Sequence, residues 1–424
     1  MNHSDNHRIL VISHAHPDFS LGGGEIAAYN IYKEYKINEK VQSAWFLGRI
    51  DRGRGATGRI SMRRENEFLW EQGINDWHKM KAANQESLLT WFSDLIKVLK
   101  PSVVHTHHYA HLGLEYLRII KRLNPLIRIF LTLHEYMGIC SNHGQMVKVK
   151  DHRLCSGATY DECHQCFPEK SAEDFWLREH FIKSHFSFVD HFVAPSEFLR
   201  QRYIQWGIPA EKITMIENGQ HIVDPVSART LGDGETRNRF GYFGQINPFK
   251  GVDLLLKAIH SMSKKDRKKI VLEIHGSNLD LQSPEWKSQF MALLEPLVKK
   301  GVVRWIGPYR PDELASRMAH VDWVLTPSIW WENSPLVIQE AFMIGRPVIG
   351  SDIGGMKEKI RHGIDGIHVP VSNFSAWADT ILKVGKYTNE WDVLQSGIRR
   401  PVSWRESSLL HLSLFSFQQR SMTK

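Results

Sequence analysis

Thr326-Pro-Ser-Ile-Trp-Trp-Glu-Asn-Ser-Pro-Leu-Val-Ile-Gln-Glu340 is the stretch on which the fold turns. The short apolar run at 322–326 reads as a strand, and 335–344 reads as a helix. Pro335 suits the first turn of that helix, where a residue has no intrahelical use for its N–H. Glu332 then falls in the loop at the strand's carboxyl end, and Glu340, eight residues on, lies over a turn further along the helix. Carboxylates so placed suit sugar hydroxyls, and the free N–H groups near 334–337 suit a phosphate. A helix cap with a solvated glutamate explains the same spacing, so the pair alone leaves the chemistry open.

Outward from this stretch, strand-like and helix-like runs alternate through most of the chain. Residues 8–13 read as a strand and 25–36 as a helix, with further strands at 103–106, 129–133 and 192–195. A second series begins near Phe240, with strands at 241–244, 270–275, 302–306 and 347–350 and a helix at 251–261. Such alternation implies parallel sheets with helices on both faces and ligands at the carboxyl ends of the strands. The polar stretch 223–238, with Pro225, Gly232 and Gly234, reads as a linker. It separates an N-terminal α/β domain at 1–222 from a C-terminal one at 239–400. Two such domains facing each other would form a cleft. Residues 139–180 break the alternation and read as an insertion. The tail at 401–424 is apolar with an ambiguous period, and its Leu409, Leu410, Leu412, Leu414, Phe415 and Phe417 would suit a membrane surface.

Composition narrows the class. Of 424 residues, 42% are hydrophobic and 24% charged, which argues against disorder, collagen and coiled coil. No apolar run approaches the roughly 18 residues of a membrane span. Residues 1–8 are polar and are followed by four apolar residues, too few for a secretion signal, so a cytoplasmic protein is expected. The net charge of +8 fits an anionic ligand, an anionic membrane surface or nucleic acid without choosing among them. Six arginines between Arg49 and Arg64, interleaved with glycines, read as a mobile basic loop. It would be solvated, or else rest on an anionic lipid-linked glycan at the membrane.

After the first strand, Gly22-Gly23-Gly24-Glu25 opens a helix whose free N–H groups and dipole favour a phosphate. The spacing is neither a Walker loop nor GxGxxG, and a tight helix–strand turn explains it equally well. Neither half carries GxGxxG with an acidic residue at the expected distance, which disfavours a dinucleotide oxidoreductase. All four cysteines, Cys140, Cys155, Cys163 and Cys166, fall in the insertion, with His143, His152 and His164 nearby. Four thiolates fit a closed tetrahedral zinc site that would staple the insertion. Free thiols and disulfides are the alternatives, in that order.

Several motifs in order resemble the family 4 retaining glycosyltransferases. Glu332 and Glu340 match that family's Glu-x7-Glu, and Gly345-Arg-Pro-Val-Ile-Gly-Ser-Asp-Ile-Gly-Gly355-Met-Lys-Glu358 matches its downstream segment. Phe243-Gly-Gln-Ile-Asn-Pro-Phe-Lys250-Gly-Val-Asp253 matches its phosphate-binding segment, and the glycines at 22–24 match its N-terminal loop. The resemblance runs from about residue 8 to 385. It implies the GT-B fold, with two facing Rossmann-like domains, a tail helix at 401–424 packing back on the N-terminal domain, and a nucleoside diphosphate-sugar held mainly by the C-terminal domain.

By that resemblance Glu332 contacts the transferred sugar, Glu340 the ribose, and Lys250 the diphosphate, with Ser334, Pro335 and Leu336 at the helix start. Gly23 and Gly24 cover the phosphates, and His134 lies near sugar and acceptor. Gln245 stands where the family usually has Arg, which removes a charge-assisted contact of ~1.5–3 kcal/mol; Arg310 is a candidate replacement. The resemblance also implies catalysis by positioning, without an enzyme nucleophile or a catalytic metal. The expected acceptor is a glycan or lipid-linked glycan in bacterial surface polysaccharide synthesis, at the inner face of the membrane. A GT-B nucleotide-sugar epimerase is the alternative within the fold. A zinc-containing nucleic-acid-binding protein ranks below both, because it gives the glutamates and glycines no role.

Overall fold

A computed structural model describes residues 6–20, 22–53 and 55–422, with the side chains of Thr388 and 417–422 left aside. The chain forms two compact units. Unit 1 is Met1–Gly219 with Val402–Lys424, and unit 2 is Gln220–Pro401.

Unit 1 is built on a sheet of eight strands. Their order is Ile213–Met215, His191–Ala194, Arg128–Thr132, Val103–His107, His7–Ser13, Val41–Arg49, Glu67–Trp70 and Ile60–Arg64. Every neighbouring pair is parallel except the last, which is antiparallel. Apolar runs such as Ile9–Ile12 and Ile129–Leu131 are fully buried, as strands covered on both faces require. Register aligns Ser13 with His107 and His107 with Thr132, so three strand ends share one edge.

Four of these strands depart from the sequence reading, the short edge strand Ile213–Met215 among them. Val41–Arg49 and Glu67–Trp70 carry no clean alternation, and Ile60–Arg64 falls inside the stretch expected to be a mobile basic loop. The arginines of that stretch are largely paired. Arg63 and Arg64 both meet Asp18, Arg64 also meets Glu67, Arg52 meets Glu71, and Arg49 meets Asp51. Arg54 lies outside the described residues.

The tail forms helix Trp404–Met422. Trp404, Leu412 and Phe415 are buried in one core cluster with Ile9, Val11, Tyr35 and Phe130. The Phe415 carbonyl accepts from the Arg128 guanidinium. Leu409 and Leu410 point to solvent, and the Phe417 side chain lies outside the described residues. No helix among the described residues is long and apolar enough to cross a membrane.

Unit 2 holds a six-stranded, wholly parallel sheet. Its order is Val303–Gly307, Val271–Ser277, Arg239–Gln245, Trp323–Thr326, Val348–Ser351 and Gly366–Val369. The polar stretch 223–238 was expected to connect two domains, but it packs within this unit. Arg346, fully buried, donates to the carbonyls of Val226 and Ser227 as well as those of Ala319, Val321 and Ile344. Asp322 accepts from Arg229, Arg237 and the Arg239 N–H. Charge pairing and backbone carbonyls, rather than apolar periodicity, hold the stretch down, so its polar composition resembles that of a free connection.

Candidate functional site

In unit 2 the site grows from the end of strand Trp323–Thr326. Ser328, Trp330 and Lys250 all donate to Glu332 Oε1, at 2.8, 2.9 and 2.6 Å. Burial pushes the Glu332 carboxyl up, but the Lys250 charge and these hydrogen bonds outweigh it and hold the group below the usual glutamate range. Lys250 ends the single 3-10 turn Pro248–Lys250, which Asn247 caps by accepting from the N–H groups of Phe249 and Lys250. Gly251 follows at φ +70°, and a Cβ there would stand 2.1 Å from the Pro327 carbonyl oxygen. Only glycine lets the two loops close so that Lys250 reaches Glu332.

The Glu332 loop is held from the other side as well. The Gly355 N–H donates to the Glu332 carbonyl at 2.7 Å. A Cβ on Gly355 would fall 1.6 Å from the Asn333 carbonyl oxygen, and one on Gly354 (φ +54°) 2.8 Å from that of Glu332. The glycine pair of the 345–358 segment thus exists to let that backbone lie on the loop.

Helix Leu336–Met343 begins one residue later than the sequence suggests, with Pro335 at its N-cap. Ser334 Oγ is out of solvent and has no hydrogen-bond partner among the described residues. Glu340 is partly buried within this helix, and burial pushes its carboxyl up to about 7. The Tyr309 hydroxyl lies close enough to feel that charge. Phe243 stacks on His275 at 4.3 Å, with Tyr309 edge-on to Phe243. A cavity of ≈ 630 Å³ is lined by Gly276, Ser277, Asn278, Met291, Trp305 and Pro308 among others. Gln245, at the end of strand Arg239–Gln245, is exposed. Arg310, the candidate replacement, is exposed and paired with Asp312 and Glu313.

In unit 1, Gly23 opens helix Gly23–Lys36 and Gly22 is its N-cap. Glu25 folds back over this end, accepting from Ser20 Oγ at 2.5 Å and lying 3.5 Å from His14. Gly24 leaves room for two rings: a Cβ on it would stand 3.2 Å from His14 and 3.6 Å from His134. His134 Nε2 shares a 3.1 Å hydrogen bond with His107 Nδ1. Burial, reinforced by neighbouring histidines, lowers His134 to about 3, so its imidazole is neutral at physiological pH. It can orient a hydroxyl but is not a standing proton donor of the imidazolium kind. Beside it, burial raises Glu135 to about 8, and Glu135 Oε1 lies 3.7 Å from His108.

The four cysteines line one small cavity, described below. Among the described residues no three His, Cys, Asp or Glu side chains already stand as a ligand set. The sequence reading missed His14, His107, His108 and Glu135. A signal existed: His105, His107 and His108 crowd the end of one strand, where parallel sheets place ligands. It also missed Ser328 and Trp330, whose donor roles depend on a loop path that spacing does not reveal.

Two parallel-sheet units, one carrying a glycine-opened helix with a neutral histidine and the other a lysine-paired glutamate before a helix start, define the GT-B class. A family model described as "Glycosyltransferase Family 4" matches residues 77–222, and one described as "Glycosyl transferases group 1" matches 226–390. The chain belongs to the family 4 glycosyltransferases. It is 29% identical to a D-inositol 3-phosphate glycosyltransferase of Nocardia farcinica over 46% of this chain and 44% of that protein. The chain thus spans less than half the length of that relative. Among solved structures it resembles Anabaena HepE in complex with UDP and glucose, with TM-score 0.64, 16% identity, and 96% and 99% of the two chains covered. It also resembles a sucrose-phosphate synthase of Thermosynechococcus elongatus, with TM-score 0.70, 16% identity, and 97% and 99% covered.

Proposed function

We propose that this chain moves a hexose from a nucleoside diphosphate-sugar to a glycan or lipid-linked acceptor, with retention of anomeric configuration, in bacterial surface polysaccharide synthesis. The observation that carries the reading is the buried Glu332, held ionised by Lys250, Ser328 and Trp330 at the end of a parallel strand. In this reading Lys250 leaves Glu332 for the diphosphate when donor binds, and the freed carboxylate oxygen takes a sugar hydroxyl. The ribose diol goes to Glu340. Ser334 Oγ, without a partner among the described residues, and the N–H groups at the start of helix Leu336–Met343 receive phosphate oxygens. Lys250 and those N–H groups, rather than a metal ion, carry the leaving-group charge. The departing phosphate takes the acceptor's proton, so no enzyme base is needed and a neutral His134 suffices to orient the acceptor.

The work then lies in the cytoplasm, and a lipid-linked acceptor would bring it to the inner face of the membrane. UDP-containing complexes of structural neighbours support a nucleotide-sugar donor. Slow hydrolysis of each candidate donor, followed by proton NMR, tests the reading without knowledge of the acceptor. The first sugar released should keep the donor's anomeric configuration. Inverted sugar, an epimerised donor, or no turnover of any donor would overturn it.

A further inference from the structure

We propose that Cys140, Cys155, Cys163 and Cys166 form a tetrathiolate site for a single zinc ion that fastens the insertion of unit 1. Three separate pieces of backbone bring the thiols to one cavity of ≈ 20 Å³. That is room for about one water-sized body. Cys140 ends the turn begun at Tyr136, and its sulfur accepts from the N–H groups of Asn142 and Met146. A hairpin closed by the Val147–Leu154 bridge returns the chain, and the Cys155 N–H donates to the Met146 carbonyl at 2.8 Å. Helix Tyr160–Cys166, capped by Thr159, supplies Cys163 and Cys166 one turn apart.

The surroundings suit the charge of such a centre. Zinc with four thiolates carries two net negative charges. Arg178, buried and anchored on the Gly138 carbonyl at 2.8 Å, faces Cys140 and Cys163. Lys148 faces Cys155 and Cys166 while also pairing with Glu162. No histidine lines the cavity, and its one carboxylate, Glu162, is taken up by Lys148 at 3.0 Å, so the four sulfurs are left as the ligand set. Soft thiolates in a closed tetrahedral array select zinc over harder divalent ions. None of the four cysteines is in a disulfide. The proposal requires the thiols to close on the centre by rotation about their single side-chain torsion.

The insertion also supports the segment after His134. Glycine at 144 allows the loop to lie on it, because a Cβ there would stand 2.7 Å from the Glu135 carboxylate and 2.8 Å from the Met137 nitrogen.

The test is elemental analysis of the full chain purified without added metal. About one zinc per chain is expected, released in step with a mercurial reagent that titrates four thiols. Cobalt exchanged into wild-type protein should show thiolate charge-transfer and tetrahedral ligand-field absorption, a readout independent of any variant's folding. The pair Cys163→Ser and Cys166→Ser should lose the metal and open Lys148, Lys150 and Arg153 to trypsin. Metal-free wild-type protein whose four thiols react freely, or protein isolated with two disulfides or with iron, would overturn the proposal. None of these outcomes bears on donor binding in unit 2, so the two readings fail separately.

Discussion

Glu332 and Glu340 have the same side chain, eight residues apart, and opposite electrostatics. Glu332 has a lysine, a hydroxyl and an indole N–H, and its carboxyl is held low. Burial lifts Glu340 to about 7. Between the unfolded value near 4.5 and about 7, the native state keeps a proton on Glu340 that the unfolded state has lost. Stability therefore falls as pH rises through that window, and the loss is complete above it. Glu340→Gln should raise stability above neutrality by on the order of 2 kcal/mol and flatten the profile between the two values, measured by thermal melts from acid to mild base. A ribose diol donates to an ionised carboxylate, so nucleotide affinity should climb with pH through about 7 in wild type and not in Glu340→Gln. The Glu-x7-Glu spacing was legible in the sequence. The difference between its two ends was not, because it depends on which loops bring donors.

At the scale of elements, strands with continuous apolar runs such as Ile9–Ile12 were legible to within a residue or two, whereas Val41–Arg49, buried only along its second half, was not. Ile60–Arg64 was not legible, because a charged edge strand has no apolar signal and takes its conformation from its partner Glu67–Trp70. Loop closure depends instead on glycines whose need appears only in three dimensions. Gly355→Ala drives a Cβ into the Asn333 carbonyl oxygen, so the Glu332 loop must shift. We expect a cost of about 2–3 kcal/mol and loss of nucleotide binding, read by calorimetry and titration on the same sample. Gly24→Ala is the contrast: its nearest contact is His14 at 3.2 Å, and a small ring displacement accommodates it.

For the whole molecule, helix Trp404–Met422 belongs to the same unit as strand His7–Ser13. Helix Trp404–Met422 completes the core around Ile9, Val11, Tyr35 and Phe130, and the Phe415 ring packs at a tilt against Phe130 with centroids 4.3 Å apart. Phe415→Ala should therefore cost about 3–5 kcal/mol in unit 1 while nucleotide binding to unit 2 persists. Differential scanning calorimetry with and without nucleotide checks both halves of that statement. A helix returning to the N-terminal unit was expected from the family resemblance, because the tail's leucines and phenylalanines alone left a membrane surface open. Which of those residues face the core became clear only with the partner surface in view. Family membership was legible from motif order, while the seating of 223–238 on Arg346 was not, because backbone carbonyls have no sequence signature.

The central claim is that unit 2 holds a nucleoside diphosphate-sugar through Lys250, Glu332 and Glu340 despite Gln245. The measurement that tests it most directly is a thermal-shift panel of UDP, GDP, ADP and CMP with their sugars, on wild type and Glu340→Ala. A ligand at about 100 times its dissociation constant should add ~2.7 kcal/mol of stability. The account predicts a clear shift with one nucleoside diphosphate and its sugar, lost in Glu340→Ala. A folded protein that no nucleotide stabilises, or one whose shift survives the substitution unchanged, would contradict it.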